Sequence, residues 1–268
     1  MPKKTLHFPA LVLFGIFAIY GFMLYPLLVK VSNDIVLSGT PLYEIVNILY
    51  HLIQWLGVGA AFGFVIHSIY RFSTKRSIPL FVLVGGAFLF KYVAYVISYS
   101  IMNGSLNVTS RAMDLYRSLL FTFLGDCLFV ALTALLTHVW TTRLQRENRA
   151  KEASCKRLGV PFEPVASTLP FSLKHPFSRR NPLLRAAFWG TLAYAVLQAL
   201  SFLVGEILYG LSKSYYFADF FLSLYDFLTR ILIPTALCYL ITLVCIKSAE
   251  WNRVRLETQQ TEEETESA

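Results

Sequence analysis

The chain has 268 residues, of which 56% are hydrophobic and only 15% are charged, and its net charge is +8. A soluble domain carries about 25% charged residues, so the composition excludes an ordinary soluble fold and indicates an integral membrane protein. No basic segment is interleaved with stacking aromatic residues, so the positive charge does not indicate nucleic-acid binding. The four cysteines lack the spacing of a zinc site, and none lies in a predicted outer segment where a disulfide would form. No metal ion or cofactor is therefore expected.

Six apolar runs are each long enough to cross a bilayer as a helix, which takes about 20 residues. They lie near residues 9–30, 43–70, 79–102, 114–140, 183–210 and 218–246. Helices are expected because hydrocarbon offers no partner for backbone polar groups and the runs are too long for barrel strands. The predicted fold class is an all-α polytopic membrane protein, whose membrane domain covers residues 1–256.

The first three spans differ in the polar groups that they carry. The first has almost none, and Pro26 is expected to bend its outer end. Four polar residues of the second span are separated by three or four positions, so they share one helical face: Glu44, Asn47, His51 and Gln54. The small residues of 57–63 then offer a smooth surface that a neighbouring helix can approach closely. The third span has Lys91 at its middle.

The fourth span carries Asp126 and is predicted to continue as a helix beyond the membrane. Good helix formers follow it until Gly159 and Pro161 end the pattern. Residues 142–181 form a basic cytoplasmic loop in this interpretation, and its proline-rich second half is expected to be extended.

The last two spans carry the remaining membrane charges. The fifth has Glu206 near its outer end, and the sixth has three charged residues on one face: Asp219, Asp226 and Arg230. Pro234 is expected to kink the sixth span. The acidic tail of residues 257–268 has nothing to bury and is predicted to be disordered.

Basic residues predict the orientation of the spans. With the N-terminus inside, 18 of the 24 lysines and arginines fall in inner segments and four in outer segments, while Lys91 and Arg230 lie within the membrane. This bias agrees with the positive-inside rule, so both termini are predicted to be cytoplasmic, in a multi-pass protein of the cell membrane.

A matched spacing suggests that the six spans form three repeated helical hairpins. Each begins at a proline (Pro9, Pro79 and Pro182) and reaches the third residue of a similar heptapeptide 42, 43 and 44 residues later. A parallel repeat would place the three even-numbered helices around a common axis.

Ionisable groups at similar depth predict the functional site. A charge in the membrane interior needs a partner or water, and Lys91 with Asp126 is the simplest pair. The predicted outward-facing polar pocket is lined by His51, Gln54, Lys91, Asp126, Asp226 and Arg230, with Glu44, Asn47, Glu206 and Asp219 at its mouth. The alternative for the same residues is a set of structural ion pairs and hydrogen bonds that fix helix packing.

Three functions follow from these interpretations. The first is binding or transport of a small polar or charged solute through the pocket. The second is a non-catalytic membrane subunit or scaffold that docks a cytoplasmic protein through the basic loop 142–181. The third, an intramembrane enzyme, is disfavoured because the chain lacks the zinc-protease, nucleophile-elbow and phosphate-loop motifs.

Overall fold

A computed structural model describes residues 3–33, 40–102, 110–161, 181–212 and 223–266, and all regular elements in these ranges are helical. After a 3₁₀ turn at Lys3–Leu6, the α-helices are α1 (His7–Ala18), α2 (Tyr25–Asn33), α3 (Pro41–Arg76), α4 (Ile78–Met102), α5 (Ser110–Leu158), α6 (Pro182–Ser212) and α7 (Ile233–Glu266). Six helical stretches are long and apolar enough to cross a membrane: His7–Val31, Pro41–Phe72, Ile78–Ile101, Thr122–Leu158, Pro182–Val204 and Ser223–Gln259. The predicted class, an all-helical protein with six helices long and apolar enough to span a membrane, is confirmed in the described residues.

Two π-helical segments accompany the prolines that were expected to distort the first and sixth spans. Ile19–Leu24 joins α1 to α2, in which Pro26 is the second residue, and Leu228–Leu232 precedes α7, in which Pro234 is the second residue. A proline has no N–H, and its ring crowds the carbonyl four residues earlier. Widening the preceding turn into a π segment accommodates that ring without ending the helix.

The central helix of the bundle is α3, which packs against all six other helices. In the most apolar stretch of its span, 78% of the residues are buried, compared with 28–39% in the other five spans. The outer helices turn much of their apolar surface outward, as expected where lipid replaces water around the protein.

The small residues of α3 bring it into backbone contact with α7, as the sequence predicts. A Cβ atom added at Gly59 would lie 2.6 Å from the carbonyl oxygen of Cys238, and one added at Gly63 would lie 2.6 Å from that of Thr242. The hydroxyl of Thr242 donates a hydrogen bond of 3.0 Å to the carbonyl oxygen of Gly59. Glycine is therefore required at these positions because a side chain would separate the two helices.

The environments of the even-numbered spans are unequal. A rotation that relates three hairpins would give these spans similar burial, but the second is surrounded by the other helices while the fourth and sixth are mostly peripheral. The contacts therefore give no support to the predicted repeat, which remains a hypothesis from the sequence spacing.

Two helices, α5 and α7, continue past their most apolar parts as polar helix at the same end of the bundle. We call this end the basic end because Lys75, Arg143 and Lys247 lie there, and the opposite end is the far end. The α5 extension reaches Leu158 and stops at Gly159, whose φ of +67° is in the left-handed region that glycine favours. This end point confirms the predicted extension.

The tail after residue 257 differs from its prediction of disorder, because α7 continues to Glu266. Its glutamates and glutamines have good helix propensity, and an ion pair between Arg253 and Glu257 supports the turn where the tail begins.

Candidate functional site

A buried ion pair between α4 and α5 forms the centre of the candidate site. The ammonium of Lys91 lies 3.0 Å from Oδ2 of Asp126, and the two side chains are only 1% and 2% exposed. The predicted contact between these residues is therefore confirmed. In this structure the pair is closed off and does not line an open pocket.

Two tyrosines complete the coordination of the Asp126 carboxylate. The hydroxyl of Tyr92 donates to Oδ2 over 2.9 Å, and the hydroxyl of Tyr194, from α6, lies 3.4 Å from Oδ1. The Lys91 ammonium also donates to the Tyr92 hydroxyl over 3.3 Å. Each carboxylate oxygen thus has a donor, which offsets much of the cost of removing the charge from water.

Aromatic rings surround the cation of the pair. The Lys91 nitrogen lies 4.8 Å from the ring centre of Tyr92, 5.5 Å from that of Tyr20 and 5.8 Å from that of Phe17. Such cation–π contacts are strongest when the cation is shielded from water. The ring contacts also tie the first span to the ion pair, so the deep site joins residues of four spans.

A cluster of tyrosines lies on the far-end side of the ion pair, and sequence reasoning missed it. Tyr20 and Tyr50 stack with ring centres 4.6 Å apart and are joined by a hydrogen bond between their hydroxyls. The rings of Tyr25 and Tyr95 lie 4.0 Å apart. The recurrence of tyrosine at helical spacing on α4, three residues after Tyr92, was an available signal. These rings separate the ion pair from the far end.

A second polar group, more open than the first, contains Asp226, Arg230 and His51. Asp226 and Arg230, which the sequence places on one face of the sixth span, form an i,i+4 ion pair. Oδ1 and a terminal guanidinium nitrogen are 3.2 Å apart, and the side chains are 33% and 39% exposed. The half-buried ring of His51 on α3 lies within electrostatic range of Arg230. Arg230 belongs to the π segment before α7, and its Nε is buried with no hydrogen-bond acceptor in the part of the chain that the structure describes. Among the described residues, no hydrogen bond or ion pair joins this group to Lys91 and Asp126.

The other predicted site residues are dispersed. Gln54 is half-buried on α3, Asn47 is buried one helical turn before His51, and Glu44 is exposed near the start of the helix. Glu206 lies on α6, but its side chain is outside the described part of the chain, as is the whole of Asp219. The predicted pocket mouth is thus only partly described.

A cleft of about 320 Å³ opens on the outer surface between α4 and α5, but its lining is almost entirely apolar. Its walls are Leu89, Tyr92, Val93, Val96, Ile97, Leu120 and Phe123. Among these only Tyr92 connects the cleft to the ion pair, through the hydroxyl that binds Asp126. The cleft therefore differs in chemistry from the predicted polar pocket.

A further polar cluster, between α3 and α7 at the basic end, was also missed by sequence reasoning. The Glu250 carboxylate lies 2.7 Å from Nε2 of the buried His67 and accepts hydrogen bonds from Arg71 and Arg253. No local spacing could have shown this, because His67 and Glu250 are 183 residues apart. The cluster joins the basic ends of the two helices that already meet at Gly59 and Gly63.

No protein-family model matches the chain, and no curated protein or solved structure shows significant similarity to it. Function must therefore be inferred from the arrangement of these residues.

Proposed function

We propose that this chain is a multi-pass protein of the cell membrane that binds a small polar or anionic solute, as a transporter or the binding component of one. The solute site is the second polar group: His51, Asp226 and Arg230, with Gln54 nearby on α3. The observation that supports this assignment most directly is the buried Nε of Arg230, which has a donor hydrogen and no acceptor among the described residues. A buried unpaired donor costs about 1–3 kcal/mol, and a carboxylate or another acceptor on a solute would remove that cost.

The deep ion pair has a supporting role in this proposal. Lys91 and Asp126 are buried and already have hydrogen-bond partners in each other and in tyrosines, so the proposal does not place the solute on them. Such pairing within the protein agrees with the alternative interpretation of these two residues, in which they form a structural ion pair that fixes helix packing. The pair holds α4 and α5 together.

Ligand-dependent stabilisation tests the solute site, because a ligand that binds only the folded state raises its apparent stability. The purified full chain would be unfolded thermally with a panel of amino acids, mono- and dicarboxylates and neutral sugars. At least one carboxylate is expected to raise the Tm of the wild type and of Lys30→Gln, a control that removes an exposed cation from the far-end part of α2. The same compound should have no effect on Arg230→Gln. Equal stabilisation of Arg230→Gln and wild type would contradict the proposal.

A second function, the membrane subunit that docks a cytoplasmic protein, is favoured by one observation. The α5 extension is a continuous helix whose basic residues, including Arg146, Arg149 and Lys156, are exposed. Its charge would suit an acidic partner surface. Removal of residues 145–158 should abolish docking and leave carboxylate-dependent stabilisation intact, which separates the two functions.

We also propose the cytoplasmic location of both termini and, from the sequence spacing alone, the arrangement of the six spans as three repeated hairpins. In a chain whose native cysteines are replaced, single cysteines at Ser105 and Ser178 should react with a membrane-impermeant maleimide from opposite sides. The cysteine at position 178 should react only after the membrane is permeabilised. Labelling of both positions in sealed cells would be incompatible with this topology.

A further inference from the structure

At the basic end of the bundle, an arginine of α6 stacks on a tryptophan of α5, and a second arginine follows that tryptophan by one helical turn. The guanidinium carbon of Arg185, in the first turn of α6, lies 5.0 Å from the ring centre of Trp140 on α5. Arg143 follows Trp140 by three residues, so the two share a face of α5 with Cβ atoms about 5–6 Å apart. The Arg185 guanidinium therefore lies on the indole ring, and Arg143 is attached to the next turn of α5, within side-chain reach of the same surface.

The guanidinium groups of this site retain unused hydrogen-bonding capacity. Arg185 is exposed, and its described contact is with the face of the indole ring. Arg143 is 72% exposed and uses its Nε in a 3.3 Å contact with Glu147, whose side chain is itself 53% exposed. An exposed pair of this kind contributes little, and the terminal nitrogens of both arginines remain suited to bidentate binding of a phosphate.

The position of the site along the bundle identifies the kind of phosphate. Trp140 ends the apolar part of α5, and Arg143 is the first charged residue after it, as expected at a membrane–water interface. Exposed apolar side chains lie immediately on the membrane side, Val139 on α5 and Trp189 one turn after Arg185 on α6. A ligand bound here would meet positive charge at one end and hydrocarbon-compatible surface at the other.

We infer that Trp140, Arg143 and Arg185 form a binding site for the headgroup of an anionic phospholipid, whose acyl chains lie against Val139 and Trp189. The arginines bind the phosphodiester while the indole ring holds Arg185 in place through its stacking contact. Basic sites between membrane helices bind anionic headgroups by this combination of charge and interfacial position. The inference is independent of the solute site, which lies toward the opposite end.

The test compares the full chain in nanodiscs of phosphatidylcholine alone with nanodiscs that contain phosphatidylglycerol. The Tm of the wild type should rise by roughly 5–10 °C when the anionic lipid is at about a hundred times its Kd. The double variant Arg143→Gln/Arg185→Gln should lose most of this shift. The matched variant Lys247→Gln/Arg255→Gln, which removes two positive charges from the basic end of α7, should keep it.

Three results would overturn the inference. Equal loss of the shift in the two double variants would show attraction to membrane charge without a site. Stabilisation by inorganic phosphate in phosphatidylcholine nanodiscs, equal to that by phosphatidylglycerol, would assign the site to a soluble anion. An unchanged shift in Arg143→Gln/Arg185→Gln would exclude these arginines. Trp140→Leu provides a second readout, since it retains both charges and should reduce the shift only in part.

Discussion

Asp126→Asn is expected to destabilise the protein by about 3–5 kcal/mol, the usual cost of leaving one member of a buried ion pair without its partner. The ammonium of Lys91 is 1% exposed and its described anionic partner is Asp126 at 3.0 Å. Asparagine preserves the size of the side chain and an oxygen that can accept from Tyr92, so the change removes mainly the negative charge. Cation–π contacts with Phe17, Tyr20 and Tyr92 will retain part of the stabilisation of Lys91, about 0.5–2 kcal/mol each. The loss is therefore expected near the lower end of the range.

Double variants separate the charge from the hydrogen bonds. Lys91→Met/Asp126→Asn removes both charges and leaves an acceptor for the Tyr92 hydroxyl, so it should recover most of the stability lost in Asp126→Asn. Lys91→Met/Asp126→Leu also removes the acceptor and leaves the Tyr92 and Tyr194 hydroxyls unpaired, at about 1–3 kcal/mol for each group that stays buried without a partner. The second double variant should therefore be the less stable of the two.

The free energy of unfolding would be measured in mixed micelles by denaturant titration for wild type, Lys91→Met, Asp126→Asn and the two double variants. The coupling energy from the double-mutant cycle isolates the interaction of the pair. A coupling below about 1 kcal/mol, or a loss below about 1 kcal/mol in Asp126→Asn, would refute the reasoning, because both values belong to exposed pairs.

Two further predictions concern the contact between α3 and α7. Gly59→Ala should destabilise the protein by about 1–3 kcal/mol, since the added carbon would lie 2.6 Å from a backbone oxygen of α7. The control is Gly85→Ala on α4, where an added Cβ would have no atom within 4 Å. It should be neutral or stabilise the protein by up to about 1 kcal/mol. Thermal unfolding of both variants provides the check, and equal effects would contradict the close approach. Glu250→Gln should cost about 1–3 kcal/mol through the hydrogen bonds it weakens at an 18% exposed carboxylate. Glu257→Gln, at 58% exposure, should change stability by less than about 0.5 kcal/mol, and a comparable loss in both variants would argue against the buried cluster.

The sequence by itself determined the features that depend on local pattern. The six spans follow from the length of each apolar run, and the end of α5 follows from Gly159. The ion pair of Asp226 with Arg230 was predictable because four residues make one helical turn. Pro26 and Pro234 marked the irregular turns, although the π geometry that accommodates them was not specified.

The tertiary structure decided which distant groups meet. Matching depth suggested the pair of Lys91 with Asp126, but it gave no sign that Tyr194 would approach the same carboxylate. Depth along a helix is fixed by counting residues, whereas the direction in which each helix faces its neighbours is fixed by packing.

Packing between helices also decides the central position of α3 and the contact of His67 with Glu250. Six apolar helices of similar composition can be arranged in many ways, because a lipid-facing surface and a buried surface are both apolar in a membrane. The glycines at 59 and 63 allow the close contact with α7, but only the assembled bundle shows that α7 is the helix that fills it. Periodicity is a local property of the chain. Which helix packs against which depends on the shape and charge of residues that are far apart in the sequence.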